Sequence, residues 1–202
     1  MPEPFIILPT PCFKGEKSLE ETILARRSVR RFKSESLTLM QLSQLLWSSQ
    51  GNTGNKRRTI PSAGATLPLE VYIFVGEQTV GNLKAGIYHY EPQNHSLSLY
   101  ITNDLRQDLA EAALGQSFIA SCPLSMVICA LFSRTTSRYG KRGEMYVHME
   151  AGHLGQNVAL QAVALGLATV MVGAFIDDKV SSILKLAEGF KPLYIIPVGK
   201  PA

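Results

Sequence analysis

At 202 residues the chain is long enough for one α/β domain whose core needs no disulfide or metal staple. Its 46% hydrophobic and 18% charged residues exclude a disordered or fibrous chain and sit slightly on the apolar side of the globular range, which is compatible with a large subunit contact. The net charge of +4 is mild, yet the basic residues are grouped, which points to an anionic partner.

Cys12, Cys122 and Cys129 form neither an even framework nor a metal-ligand spacing, so reduced thiols and a cytoplasmic location are expected. Residues 1–9 lack a basic region and break at Pro9, which does not suit a secretory leader. Residues 158–174 are nearly all apolar but short for a membrane span and divided by Gly166 and Thr169. A buried helix followed by a buried strand is the expectation there.

In chain order, Ser18 with Glu21 three positions on forms a capping box and opens a helix through Leu19, Ile23 and Leu24 into Arg26 and Arg27. Thr38 with Gln41 opens a second helix, carrying Leu39, Leu42, Leu45, Leu46 and Trp47 at helical spacing. Gly51 and Gly54 end it and start a polar loop that reaches Gly64. Residues 71–75 read as a buried strand, and 86–90 with 96–100 as a hairpin whose His89 and His95 are expected to be exposed. A helix with Leu105, Leu109, Ala112 and Ala113 ends near Gly115, and 124–131 is a central strand. The longest helical candidate is 146–165, where Ala151, Gly152, Gly155 and Ala159 permit close approach by another helix. A strand at 168–172, a helix at 177–186 and a strand at 193–198 complete the chain. Because the hairpin breaks a pure βαβ alternation, the pattern predicts an α+β sandwich around one sheet, in a single domain over residues 1–202.

Three short motifs carry chemical meaning. Arg26, Arg27, Ser28 and Arg30 bring guanidinium forks and a hydroxyl together where a helix gives way to loop, a cradle for phosphate or another anion. Pro61, Ser62, Ala63 and Gly64 form a loop of small side chains that lets backbone approach a flat ring. Gly173 and Ala174 lie at a strand-to-helix junction where backbone N–H groups can donate to a ligand. Two further basic groups, Lys56, Arg57 and Arg58, then Arg134, Arg138, Lys141 and Arg142, suit an anionic partner or a solvated face. There is no GxSxG, HExxH or Walker loop, and His148 and His153 are five apart, off a common helix face. A redox cofactor could therefore carry the chemistry while the protein binds and orients it.

These motifs occur in one order, with Leu45-Leu-Trp-Ser-Ser-Gln-Gly51, Gly86-Ile-Tyr-His-Tyr90, Glu150-Ala-Gly-His-Leu-Gly-Gln-Asn157 and Pro197-Val-Gly-Lys200 between and after them. The set resembles the nitroreductase superfamily, and more narrowly its SagB-type, azoline oxidase-like branch. The resemblance implies a nitroreductase-like α/β sandwich, with a central, mostly antiparallel sheet flanked by helices. It implies an obligate homodimer holding FMN at its interface, and electrons passing from NAD(P)H through FMN to a nitroaromatic or quinone-like acceptor in a ping-pong cycle. By matching position, Arg26, Arg27, Ser28 and Arg30 would hold the FMN phosphate and reach the ribityl chain and pyrimidine edge. Pro61, Ser62, Ala63 and Gly64 would come from the partner subunit and pack on the isoalloxazine. Gly173 and Ala174 would face N5, Lys200 would add a phosphate contact, and Gln116 would reach the pyrimidine edge. The helix near 146–165 would form the dimer contact. No metal, nucleic acid or membrane is implied. Two alternatives share the fold: an FMN-dependent dehydrogenase oxidising azoline rings in a modified peptide, and a flavin-binding protein without turnover. Azoline-oxidising members use a Lys-Tyr pair; here Arg138 takes the first position and cannot serve as a base, while Tyr139 remains a candidate proton donor. The chain also stops two residues beyond Lys200, so phosphate binding is expected to rest mainly on the arginine cluster.

Overall fold

A computed structural model describes residues 5–55 and 57–202. The readings of residues 1–4 and of Lys56 lie outside them. Among the described residues, seven strands build one antiparallel sheet: β1 (Ile6–Ile7), β2 (Leu69–Val75), β3 (Gly86–Glu91), β4 (Ser96–Thr102), β5 (Leu124–Leu131), β6 (Ala168–Thr169) and β7 (Phe190–Gly199), in the order β1-β4-β3-β2-β5-β7-β6. The α-helices described around it are α1 (Leu19–Ala25), α2 (Leu39–Gln50), α3 (Arg106–Ala112), α4 (Phe118–Ser121), α5 (Ser133–Tyr139), α6 (Arg142–Ala164) and α7 (Asp177–Ile183). The expected α+β sandwich is the observed architecture.

Alternation along the central strands divides the core into two layers. Val71, Ile73, Val75, Met126, Ile128, Ile196 and Val198 pack with Leu42, Leu45 and Leu46 of α2 and Val147, Ala151, Leu154 and Val158 of α6. The other face, with Tyr72, Phe74, Val127, Cys129 and Ile195, packs on Leu109 and Ala110 of α3 and Val180 of α7. Both predicted capping boxes form. Ser18 Oγ accepts from Glu21 N–H at 3.1 Å and Thr38 Oγ1 from Gln41 N–H at 3.1 Å, and each partner side chain accepts in return. Cys122 and Cys129 are buried free thiols, as their apolar context predicts. No helix among the described residues is long and apolar enough to cross a membrane.

Several elements differ from expectation. Helix α5 was not foreseen, because Ser133-Arg-Thr-Thr-Ser-Arg-Tyr139 has no apolar stripe and buries only Thr135. It ends at Gly140, whose φ of 57° is the left-handed value a helix stop commonly needs. The strand expected at 168–172 pairs only over β6. Thr169 O accepts from Val29 N–H at 3.1 Å, and the chain rejoins the sheet at Val172, opposite Ile195.

The expectation that His89 and His95 are exposed is wrong, because both imidazoles find partners where the hairpin folds back. His89, with 18% of its side chain exposed, sits between Glu70 Oε2 (2.9 Å from Nε2) and Glu91 Oε1 (2.8 Å from Nδ1). Glu70 also accepts from Arg134 Nη1 at 2.6 Å. Burial opposes charge on both groups, yet these hydrogen bonds prevail, holding His89 above and Glu70 below its ordinary value. His95, half-buried, lies 2.7 Å from Ser43 Oγ and 2.8 Å from Tyr90 Oη. Arg58 also departs from a solvated reading: it is half-buried, and its Nη1 is buried without a hydrogen-bond partner.

Candidate functional site

The first cluster begins where α1 stops. Arg26 leaves the helix with extended backbone (φ −60°, ψ 122°), so the following residues run as a strap along the sheet edge. Ser28 bridges Thr169, Lys33 N–H donates to Lys200 O at 2.9 Å, and Ala202 N–H donates to Arg31 O at 3.2 Å. A cavity of about 430 Å³ opens there, lined by Arg27, Ser28, Arg30, Arg31, Pro201 and Ala202. Among the described residues no carboxylate pairs with Arg26, Arg27, Arg30 or Arg31. Thr169 Oγ1, on the strand that carries the strap, is buried without a partner. Lys200 reaches the same end, but its ammonium pairs with Glu35, whose carboxyl it holds below the usual range. The sequence-predicted Arg26, Arg27, Ser28, Arg30 and Lys200 are thus brought to one end of the sheet.

Next to the edge strand, Val172 and Ile195 exchange hydrogen bonds of 2.9 and 3.0 Å before the chain turns into α7. Gly173 and Ala174 are exposed on this turn, and neither N–H donates to any described residue. Gln116 Nε2 donates to Ala174 O at 3.0 Å and to Ala113 O at 2.8 Å, bracing the turn from the connection between α3 and α4. The three residues therefore meet, with the Gln116 amide engaged by backbone.

Residues 61–64 lie at the opposite end of the central strands. Leu69 is paired with Ala130, and Leu131 N–H donates to Pro68 O at 2.9 Å. Ser62 Oγ accepts from Leu67 N–H at 3.0 Å, Thr66 and Thr135 hydroxyls are 2.7 Å apart, and Arg138 Nη1 donates to Gly64 O at 3.0 Å. Gly64 has φ 57°, and a Cβ there would lie 2.5 Å from Tyr139 Oη. Tyr139 is thereby brought against the 61–64 loop. Its ring lies 5.4 Å from the Arg138 guanidinium and edge-on to Tyr146 at 5.2 Å, and Arg142 stands 5.7 Å over the Tyr146 ring.

Behind this loop is a residue to which the sequence alone assigns no role. Glu150 of α6 is 2% exposed, and its Oε1 has no hydrogen-bond partner. Burial pushes its carboxyl up to about 7, against the opposing pull of the Ser62 hydroxyl and the Ala63 backbone. Its place on the buried stripe of Val147, Ala151 and Leu154 is the signal that could have found it.

The arginine strap joins the sheet beside Val198, which pairs with Leu124, whereas the 61–64 loop enters beside Ala130. About six residues of β5 separate these levels, roughly 20 Å along the strand. A larger cavity, about 1050 Å³ between α2 and the end of α6, is lined by Gln44, Trp47, Arg58, Asn157 and Gln161 among others and by none of the residues that the family resemblance assigns to the cofactor.

The Nitroreductase family model matches residues 23–200. The chain belongs to the nitroreductase family. MJ1384 of Methanocaldococcus jannaschii, named as a nitroreductase, is 46% identical over 186 residues, covering 92% of each chain. A nitroreductase structure from Ralstonia eutropha has a TM-score of 0.85 at 29% identity, covering 100% of this chain and 95% of that one. The Escherichia coli microcin B17-processing protein McbC is 29% identical across 68% of this chain and 52% of its own length. The structure of the E. coli microcin synthetase McbBCD complex with truncated pro-MccB17 bound matches with a TM-score of 0.76 at 25% identity, over 99% of this chain and 79% of that one. The likeness to McbC agrees with the SagB-type branch, and membership makes this nitroreductase-family protein an oxidoreductase.

Proposed function

We propose that this oxidoreductase binds FMN between two copies of the chain and passes electrons from NAD(P)H to a small nitroaromatic or quinone-like acceptor in a ping-pong cycle. The observation that carries the reading is the separation of two complementary half-sites. A cationic strap occupies one end of the sheet and a small-residue loop with a tyrosine occupies the other, with the open backbone turn leaving the edge beside Ile195, between those levels. A second copy can bring its loop to the first copy's strap, and the exposed Leu19, Ile23 and Leu24 of α1 with Met145 and Met149 of α6 give such a contact apolar surface.

The residues fit the group. Arg26, Arg27 and Arg30, without carboxylate partners among the described residues, suit a phosphate, and Ser28 adds a hydroxyl. Lys200 would add to this charge by leaving Glu35. The N–H groups of Gly173 and Ala174 are free to donate to the redox-active ring edge, with Gln116 holding the turn and near enough to serve the pyrimidine edge. Pro61, Ser62, Ala63 and Gly64 of the second copy would cover the ring and narrow water access. FMN, when bound, supplies hydride acceptance and donation. Tyr139, against Gly64, is the proton donor we assign to the acceptor step. The whole chain would act as one flavin domain, and free thiols suit the cytoplasm.

Azoline oxidation is the second reading, favoured by the likeness to McbC and to the McbBCD complex. Arg138 at the position of the family's lysine argues against it, since a guanidinium stays protonated. Anaerobic addition of NADH or NADPH to the purified protein tests the choice. Bleaching of a flavin spectrum is the expected result. Flavin that both donors leave oxidised would favour azoline oxidation, and a protein that neither contains nor takes up FMN would overturn the proposal.

A further inference from the structure

Arg138, Tyr139, Tyr146 and Arg142 form a ladder beside the 61–64 loop, with two guanidinium groups held on two tyrosine rings that meet edge to face. Arg138 is further fixed by donation to Gly64 O at 3.0 Å. A guanidinium held in this way loses less freedom on binding a ligand than one on a free stem. The third basic group of the sequence is thus divided by the fold. Arg134 is committed to Glu70 at 2.6 Å, whereas Arg138, Lys141 and Arg142 pair with no carboxylate among the described residues. Glu144, in the first turn of α6, makes no ion pair with them, and the carboxyl of Glu150 is under the influence of Ser62 and Ala63 with no arginine acting on it. Arg138, Lys141 and Arg142 are all exposed. Arg138 at the loop and Arg142 at the far end of the ladder are thus two pre-positioned forks, with Lys141 next to Arg142 in the chain, and among the described residues none of the three is neutralised.

We infer that this ladder is an anion-recognition edge, so that the flavin face it borders selects substrates carrying a carboxylate or phosphate. The inference rests on the flavin reading above and names the substrate class for that site. Planar forks match such anions in two parallel hydrogen bonds, which a neutral analogue cannot return. The anion could belong to the electron acceptor or to the nicotinamide dinucleotide, and the experiment separates them.

The FMN-loaded protein is titrated with benzoate and with benzamide, reading the change in the flavin spectrum at low and high salt. Reduction rates are then compared for NADPH and an uncharged N-benzyl dihydronicotinamide. Both comparisons are repeated in Arg138→Gln and in Arg142→Gln, the second of which leaves the hydrogen bond to Gly64 intact. Benzoate is expected to bind about tenfold more tightly than benzamide, with the ratio collapsing in salt and in either variant. A ratio that collapses only for the two dihydronicotinamides also supports the edge and assigns the anion to the dinucleotide. Equal binding of charged and neutral members in both comparisons, or a preference that survives both substitutions, overturns the inference. A protein that holds no FMN fails the flavin reading instead, and calorimetric titration of benzoate against benzamide still tests the ladder.

Discussion

Gly64 combines two constraints that glycine alone satisfies: a φ of 57° and a missing Cβ whose place is taken by Tyr139 Oη and the Arg138 guanidinium. Gly64→Ala is expected to displace Tyr139 and the loop, at a cost of about 1–3 kcal/mol. FMN affinity should fall about five- to 150-fold if that cost is expressed in binding, which a fluorescence titration of apoprotein with FMN measures. Glu150 makes a second residue-level expectation. Folding raises its carboxyl from 4.5 to about 7, so the native state holds the extra proton and stability falls as pH rises through that window. Thermal melts of Glu150→Gln should lose this slope and exceed the parent by about 1–3 kcal/mol above pH 7. Equal slopes in the two proteins would refute the assignment. His89 behaves in the opposite manner to Glu70. Its contribution is present below its ordinary 6.5 and lost as pH climbs through the raised folded value, while that of Glu70 is lost as pH falls below 4.5. His89→Gln should therefore cost about 1–3 kcal/mol near pH 6 and less in alkali, as read from urea unfolding at the two pH values.

At the scale of elements, what was legible was what the chain encodes locally. The capping boxes at Ser18 and Thr38 place α1 and α2, and apolar runs mark β2 and β5, because cap geometry and burial depend on neighbours a few residues away. Helix α5 was illegible, since it has no apolar stripe and is held by packing on the α6 that follows it and by the Thr66–Thr135 contact, whose partner is distant in sequence. The cradle residues could be named as a cluster, yet nothing local announced that they would meet Lys200 through β6 and β7 or lie so far from Gly64. Glu150 and His89 were missed for a related reason: an acid on a helix or an imidazole in a hairpin gives no local sign of burial. The apolar face of α1 leads to its own expectation. Leu24 is 88% exposed, so Leu24→Glu should leave the subunit folded. If the face is covered by a second copy, dimer dissociation should strengthen by about ten- to a hundredfold, the equivalent of one buried leucine. Sedimentation over a dilution series measures this, and an unchanged profile would exclude α1 from the contact.

For the whole molecule, the proposed function turns on one arrangement: a strap and a loop at opposite ends of the same sheet, to be made into one site by a second copy. Subunit complementation tests it most directly. One chain carries Arg27→Gln with Arg30→Gln and the other Gly64→Ala, each with its own affinity tag, and FMN content is measured in each homodimer and in the co-expressed, doubly purified pair. Neither variant alone should retain FMN, whereas each mixed dimer should recover one intact site of its two, about half the parent's flavin. A mixed dimer as empty as its parents, or a Gly64→Ala homodimer with full flavin, would show that strap and loop do not share a site.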